Sequence, residues 1–251
     1  MTTATTGTTP GAGDGSTPGA KKLLGGLLFV LIGIAAVAGV GLFLHSASGD
    51  PQPILVATPM GSVDSPQGKM NGASIELSVY ADSESSNNIQ NKEGSRPGYV
   101  TYGPSTHLQL PANSLITMTI KGYDGGEKLN NTFFSRVVGT VDGTMTVDGK
   151  KVKSLGEDQV QHTFTIHSLP TSTQPTLFVN IPVHIQSEET MGKFDEDGVL
   201  PTPIVTTFQF YTQGPGEYVW NCEYPCGDGT YAKFGAAMSR YGFMSGKVTV
   251  K

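Results

Sequence analysis

Charge is scarce in this chain. Only 15% of its 251 residues are charged, where a typical soluble domain carries about a quarter. Acidic residues outnumber basic ones, 21 to 16, for a formal net charge of −5. No cluster of Lys and Arg compensates, so the electrostatic footprint required by a phosphate backbone is missing and no nucleic-acid partner is expected. Cysteine is nearly absent: Cys222 and Cys226 are the only two, too few for a disulfide-built scaffold. Ala/Glu/Lys/Leu-rich heptads are lacking, which excludes helical bundles and coiled coils. No Ser-His-Asp constellation and no phosphate-cradling Gly-rich motif supports hydrolase or nucleotide chemistry. Glycine (33) and proline (16) are plentiful instead, the composition of short strands joined by turns.

The N-terminal region has its own character. Residues 1–22 are dominated by Thr, Gly, Ala and Pro and end in Lys21-Lys22. They bury too little apolar surface to offset ordering entropy and read as a disordered tail. Leu23 to Leu44 then runs 22 residues without a charge, enough for a transmembrane helix. The run exceeds an ordinary signal-peptide core, so an uncleaved anchor is expected, although Ser46-Ala47-Ser48 would serve as a cleavage site. The lysines precede the run, so the positive-inside rule puts the tail in the cytoplasm and the remainder outside. The exported part carries a net charge of −6, and no cysteine near the end of the run offers lipid attachment.

Beyond the anchor the periodicity is that of strands. Residues 45–104 read as spacer and peripheral strands: 46–72, rich in Pro, Ser and Gly, reads as a spacer above the membrane, 75–80 is strand-like, and 81–106 is polar and turn-rich. Ile116, Met118 and Ile120 alternate with polar residues, and Phe208 and Phe210 do the same. Val160, His162, Phe164 and Ile166 share one face of a strand; Tyr218, Trp220 and Cys222 share one face of another. Asp142-Gly143 and Asp148-Gly149 predict tight hairpin turns. Pro182 marks residues 177–185 as an edge strand. The pattern predicts an all-β Greek-key sandwich with its core between 105 and 251.

The chemistry concentrates in the last third. Gly216-Glu-Tyr218 leads into a strand ending at Cys222, and Met244-Ser-Gly246-Lys-Val248-Thr-Val250 closes the chain. Upstream lie Val160-Gln-His162-Thr-Phe164-Thr-Ile166 and Leu108-Gln-Leu-Pro-Ala-Asn-Ser-Leu-Ile-Thr-Met-Thr-Ile120. These four segments, in this order across 105–251, resemble the cupredoxin family, most closely its membrane-anchored sulfocyanin-like members. Cys222, Cys226 and Gly227 are also similar to the copper loop of cytochrome oxidase subunit II. Against that loop Glu223 stands one place early, and Thr230 takes the position of its histidine.

The resemblance implies a cupredoxin-like sandwich that binds copper and transfers single electrons, with His162, Cys222, Cys226 and Met244 as ligands. Thiolate and thioether suit Cu(I), and imidazole suits both copper states. Only one imidazole is clearly placed, which favours Cu(I); His107, His167 and His184 are the other candidates, His167 with the wrong strand parity. The expected setting is the outer face of a plasma membrane, with a respiratory-chain redox protein or oxidase complex as partner. A different outcome stays open. In an oxidising compartment a lone cysteine pair commonly forms a disulfide, and a Cys222–Cys226 bridge would leave a copper-free subunit that binds a partner. Met238 reads as loop packing. The acids at 188–189 and 195–197 read as a solvated loop, and Asn130-Asn131-Thr132 is a glycosylation sequon relevant only in a host that glycosylates.

Overall fold

The uncharged run forms one helix, α1 (Pro18–Ala47). Its segment Gly25–Leu44 is exposed along its length and is long and apolar enough to cross a membrane: 20 residues at 1.5 Å each reach about 30 Å, the thickness of a bilayer's apolar core. The computed structural model describes residues 7, 18–47, 53–80, 100–125, 132–170, 173–186, 202–226, 237–238 and 242–251. The chain divides into two compact units, Met1–Asp50 and Pro51–Lys251. The expected acidic loop (188–189, 195–197) and Asn130-Asn131 of the sequon lie outside the described residues.

The second unit is built of strands. In chain order these are β1 (Ile54–Val56), β2 (Thr58–Ser65), β3 (Gly68–Tyr80), β4 (Thr101–Gly103), β5 (His107–Leu110), β6 (Ser114–Gly122), β7 (Met145–Val147), β8 (Lys150–Val152), β9 (Val160–Ser168), β10 (Phe178–His184), β11 (Ile204–Tyr211), β12 (Gly216–Asn221) and β13 (Ser245–Val250). They form two mixed sheets, one ordered β1-β5-β13-β12-β9-β10, the other β2-β3-β6-β11-β7-β8 with β4 beside β3. β2 and β3, β7 and β8, β9 and β10, and β12 and β13 are consecutive strands paired antiparallel. Other connections cross between the sheets and bring β3 parallel to β6 and β13 parallel to β5.

The expected alternations hold where one face meets the core. Ile116, Met118 and Ile120 of β6 are buried, as are Phe208 and Phe210 of β11 and Val248 and Val250 of β13. β10, with Pro182, is an edge strand, where proline's missing N–H is tolerated. Its outer side is met by Val138, whose N–H and C=O both pair with Asn180. Aromatic rings join the layers. Trp220 of β12 lies 4.7 Å from Phe164 of β9 and 4.9 Å edge-on from Tyr102 of β4, while Phe164 reaches Phe208 at 6.4 Å. Such tilted contacts suit the ring quadrupoles. The Trp220 indole N–H donates to the Thr106 carbonyl at 2.8 Å, so the largest core side chain buries no unpaired donor.

Two expectations need correction. Residues 46–72 do not form only a spacer, since β1, β2 and the start of β3 lie between 54 and 72. Their Pro/Ser/Gly composition hides this because β1 and β2 are edge strands and mostly exposed. They are held by backbone pairing rather than by an apolar face, so alternation fails as a signal. Asp142-Gly143 does turn the chain, both residues at positive φ and the Thr144 N–H donating to the Val141 carbonyl at 3.4 Å, but this turn does not join two paired strands. Asp148-Gly149 is the hairpin turn expected, joining β7 to β8 at φ 45° and 80°, the left-handed pair that a type I′ turn demands.

Gly246 is required by close approach. β13 pairs with both β12 and β5, and a methyl group on Gly246 would overlap the Thr106 carbonyl oxygen. That same carbonyl accepts the Trp220 bond. Gly246→Ala is expected to destabilise the folded unit by more than about 2 kcal/mol, whereas Ser245→Ala should change little. Urea unfolding of the full chain in detergent micelles, followed by the fluorescence of the single tryptophan, measures both.

Candidate metal centre

β9 and β12 are antiparallel neighbours, Asn221 facing Thr165. Where β12 ends, Cys222 continues the buried parity of Tyr218 and Trp220. The chain then turns through Tyr224-Pro225, the Cys226 N–H donating to the Tyr224 carbonyl at 2.8 Å. The turn returns Cys226 to the same spot, leaving the two sulfurs 3.3 Å apart. His162 of β9 meets them: its Nδ1 lies 3.1 Å from Cys226 Sγ and 3.9 Å from Cys222 Sγ. The three donor atoms lie within 4.8 Å of one another, and all three residues are buried.

Met244 is fully buried. Its carbonyl accepts the Cys222 N–H at 2.9 Å, which extends the β12–β13 register one residue past the Asn221–Ser245 pair. Residues opposite one another on an antiparallel ladder project to the same face, so Met244 leaves the sheet on the side of Cys222.

Burial and hydrogen bonding divide the charges. Burial alone would push the Cys222 thiol up, but hydrogen bonds from Cys226 and His162, the imidazole's charge and the Thr163 amide hold it well below its ordinary value. Cys226, bonded to that thiolate and buried, is pushed up and stays a thiol. Nδ1 is nearer Cys226, yet the negative charge belongs on Cys222, which alone receives the Thr163 N–H, at 3.3 Å. Burial likewise acts to lower His162, and the Asp124 hydrogen bond followed by the Cys222 interaction overcomes it, raising the imidazole to about 9. The resting site is thus an imidazolium between a carboxylate and a thiolate, with one neutral thiol beside it. Tyr102, driven up by burial and then by the Cys222 charge, stays a neutral phenol and donates to the Thr163 carbonyl at 3.1 Å.

The structure brings together His162, Cys222 and Cys226 and buries Met244 next to Cys222 along the ladder. It does not bring in a second imidazole: among the described residues the donor cluster contains no other histidine. His167 Nε2 pairs with Asn221 Oδ1 at 3.1 Å, and His184 Nδ1 donates to the Ile185 carbonyl at 2.7 Å. His107 lies on the face of β5 opposite the buried Leu108 and Leu110. Met238 packs against the core, as expected. Cys222 and Cys226 are unbridged.

Two contributors escaped the sequence. Asp124 Oδ2 lies 2.7 Å from His162 Nε2, although Gly122-Tyr-Asp124-Gly-Gly reads as an ordinary turn. Thr163 gives its N–H to Cys222, and its hydroxyl accepts the Glu223 N–H at 2.7 Å, holding the start of the loop. A threonine beside the ligand strand's histidine was the only available signal.

The donor set fits a soft first-row metal. Bond lengths of about 2.3 Å to sulfur and 2.0 Å to nitrogen, at tetrahedral angles, separate donors by roughly 3.5 to 3.8 Å. The observed separations of 3.1, 3.3 and 3.9 Å bracket that range. Two sulfurs, one imidazole and a buried thioether are the ligands that copper, above all Cu(I), prefers.

No protein-family profile matches the chain, and no curated protein does. Among solved structures it is similar to auracyanin B at 13% identity, over 78% of this chain and 97% of that one, with a TM-score of 0.31. It is also similar to the copper protein rusticyanin at 13% identity, over 72% of this chain and 78% of that one, with a TM-score of 0.34. At these identities and scores the site stands on its own residues.

The charge division has a measurable consequence. In the metal-free, reduced full chain, the His162 ring should titrate near pH 9 by NMR, and Cys222→Ser should bring it down by at least about one unit as the thiolate's support is lost. Its folded value lies above the ordinary 6.5, so the stability it contributes is complete below about pH 6.5 and is lost as pH rises through about 9.

Proposed function

We propose that this chain is a membrane-anchored, extracytoplasmic cupredoxin-like protein that binds copper and passes single electrons near the respiratory chain. The observation that carries the reading is the convergence of His162, Cys222 and Cys226 within 4.8 Å in a buried site. The His…Cys…Met order along the chain and the Met-x-Gly-x-Val-x-Val ending support it. His162 Nδ1 and the two thiolates would hold the metal, and the Met244 thioether would complete the set. Copper held there would supply one-electron exchange between its two oxidation states.

The chain's own residues prepare the site. The Thr163 amide stabilises a thiolate on Cys222 before any metal arrives. The β12–β13 ladder and the Thr163–Glu223 bond hold both ends of the cysteine turn. A site fixed on two strands resists rearrangement, which is what rapid one-electron exchange needs. The apolar span Gly25–Leu44 supports a single-pass plasma-membrane anchor, and Lys21-Lys22 support a cytoplasmic N-terminus. A respiratory redox protein or oxidase complex on the outer face would be the electron partner.

The 3.3 Å between the sulfurs favours one second reading. An oxidised chain would join Cys222 to Cys226, lose both donors and serve as a copper-free partner-binding subunit. Elemental analysis and thiol counting of the full chain, purified in detergent from copper-supplemented cells, separate the two. The proposal expects about one copper per chain and near-complete loss in Cys222→Ser. Copper-free protein with no titratable thiol would establish the stapled subunit instead.

Loading should also release protons, because both thiols and the imidazole must bind deprotonated. At pH 7.5 the His162 imidazolium and the Cys226 thiol each have a proton to lose, and the Cys222 thiol, held well below its ordinary value, has already lost its own. Cu(I) binding at pH 7.5 should therefore release about two protons. Calorimetry in buffers of different ionisation enthalpy counts them, and a count near zero would place the metal elsewhere.

A further inference from the structure

An imidazole offers a metal either nitrogen, and in the neutral ring one of them must keep the proton. Nothing within the cysteine turn decides which. The decision comes from the far side of the ring, where Asp124 Oδ2 lies 2.7 Å from Nε2. A carboxylate accepts and cannot donate when ionised, so the nitrogen facing it keeps its hydrogen. The nitrogen left with a lone pair is Nδ1, the one that faces both sulfurs.

We propose that Asp124 is the positioning residue of the metal centre: it fixes His162 as the Nε2–H form, stops the ring from turning over, and strengthens Nδ1 as a donor. The inference rests on the copper reading of the site. Carboxylate–imidazole–metal relays act in this way, and losing the outer partner typically weakens metal binding about 10- to 100-fold.

Asp124 is itself held in place. It lies two residues past the end of β6, and its carbonyl accepts the Gln186 N–H at 3.2 Å. The Gln186 side-chain amide, buried, donates to the Gly122 carbonyl at 2.7 Å. Between them the Tyr123 N–H donates to the Val79 carbonyl at 2.9 Å, and the Tyr123 ring stacks on Tyr80 at 5.4 Å. Three bonds and a ring stack therefore pin a short segment whose polar side chain reaches the centre. The Asp124 side chain is 17% exposed against 7% for His162, so the carboxylate sits between the buried ring and solvent and gives Nε2–H a fixed acceptor in place of water.

The test uses the reduced full chain in detergent micelles, labelled with ¹⁵N-histidine, with Cu(I) as the probe. In the wild type, metal-free at pH 7, the imidazolium carries a proton on each nitrogen, and the one on Nε2, held by Asp124, should exchange slowly with water. On adding Cu(I), the Nδ1 resonance should move while the Nε2 proton stays. Asp124→Leu should lose the slow proton and bind Cu(I) about 10- to 100-fold more weakly by chelator competition. Asp124→Asn keeps a neutral acceptor, so it should retain Nδ1 coordination with a loss of about tenfold or less, and its ring proton should exchange at least about tenfold faster. Unchanged affinity and unchanged ring-proton exchange in Asp124→Leu would overturn the proposal. If Asp124→Leu fails to fold by circular dichroism, unchanged exchange in Asp124→Asn overturns it equally. A wild type with the slow Nε2 proton but no response of His162 to Cu(I) would refute the copper reading and with it the metal-positioning role, leaving only the Asp124–His162 hydrogen bond.

Discussion

A thiolate shut away from water needs donors aimed at it, and the fold around Cys222 is arranged to supply them. The Thr163 amide on one side and the His162 imidazole on the other both come from β9. Neither interaction is worth much in water. In a buried site each is stronger, and the loss of either leaves a charge uncompensated. The consequence is that β9 and the end of β12 cannot shift past one another without cost, so the register of these two strands and the chemistry of the site are one constraint.

That constraint extends outward in both directions. Towards the core, Phe164 and Trp220 follow the site residues on the same two strands and pack against Tyr102 and Phe208 from the other sheet. Gly246 lets β5 and β13 close over Trp220 and brings the Thr106 carbonyl to its indole. Towards the surface, the imidazole passes its second hydrogen bond to Asp124, and Gln186 ties that segment back to β6. A buried polar group is tolerated when its whole network is satisfied, and here the network runs unbroken from Thr163 to Gln186.

Much of this was legible from residue types alone. Strands with one buried face announced themselves by alternation, as in Ile116-Met118-Ile120 and Tyr218-Trp220-Cys222, because apolar burial imposes a period of two. Cys222, Cys226 and His162 stood out because thiols and imidazoles are rare here, and because Cys222 and His162 continue inward-facing strand parities. The edge strands β1 and β2 were not legible, since backbone pairing at an exposed edge leaves no hydrophobic trace. Asp124 was not legible either: an aspartate between a tyrosine and two glycines looks like any turn, and only the fold, which brings the residues after β6 to His162 and Gln186, reveals its partner.

Local chemistry, then, determined the uncharged helix, the all-β character of the rest and the identity of the soft donors, because hydropathy period and ligand type are properties of residues near one another in the chain. Tertiary structure decided which donors meet. It excluded His107, His167 and His184 from the described cluster, set the sulfurs 3.3 Å apart and unbridged, and placed a carboxylate from a segment 38 residues away behind the imidazole. Those outcomes depend on strand register and on the crossing of two sheets. Both are set by the summed burial of the whole core, which no single motif encodes.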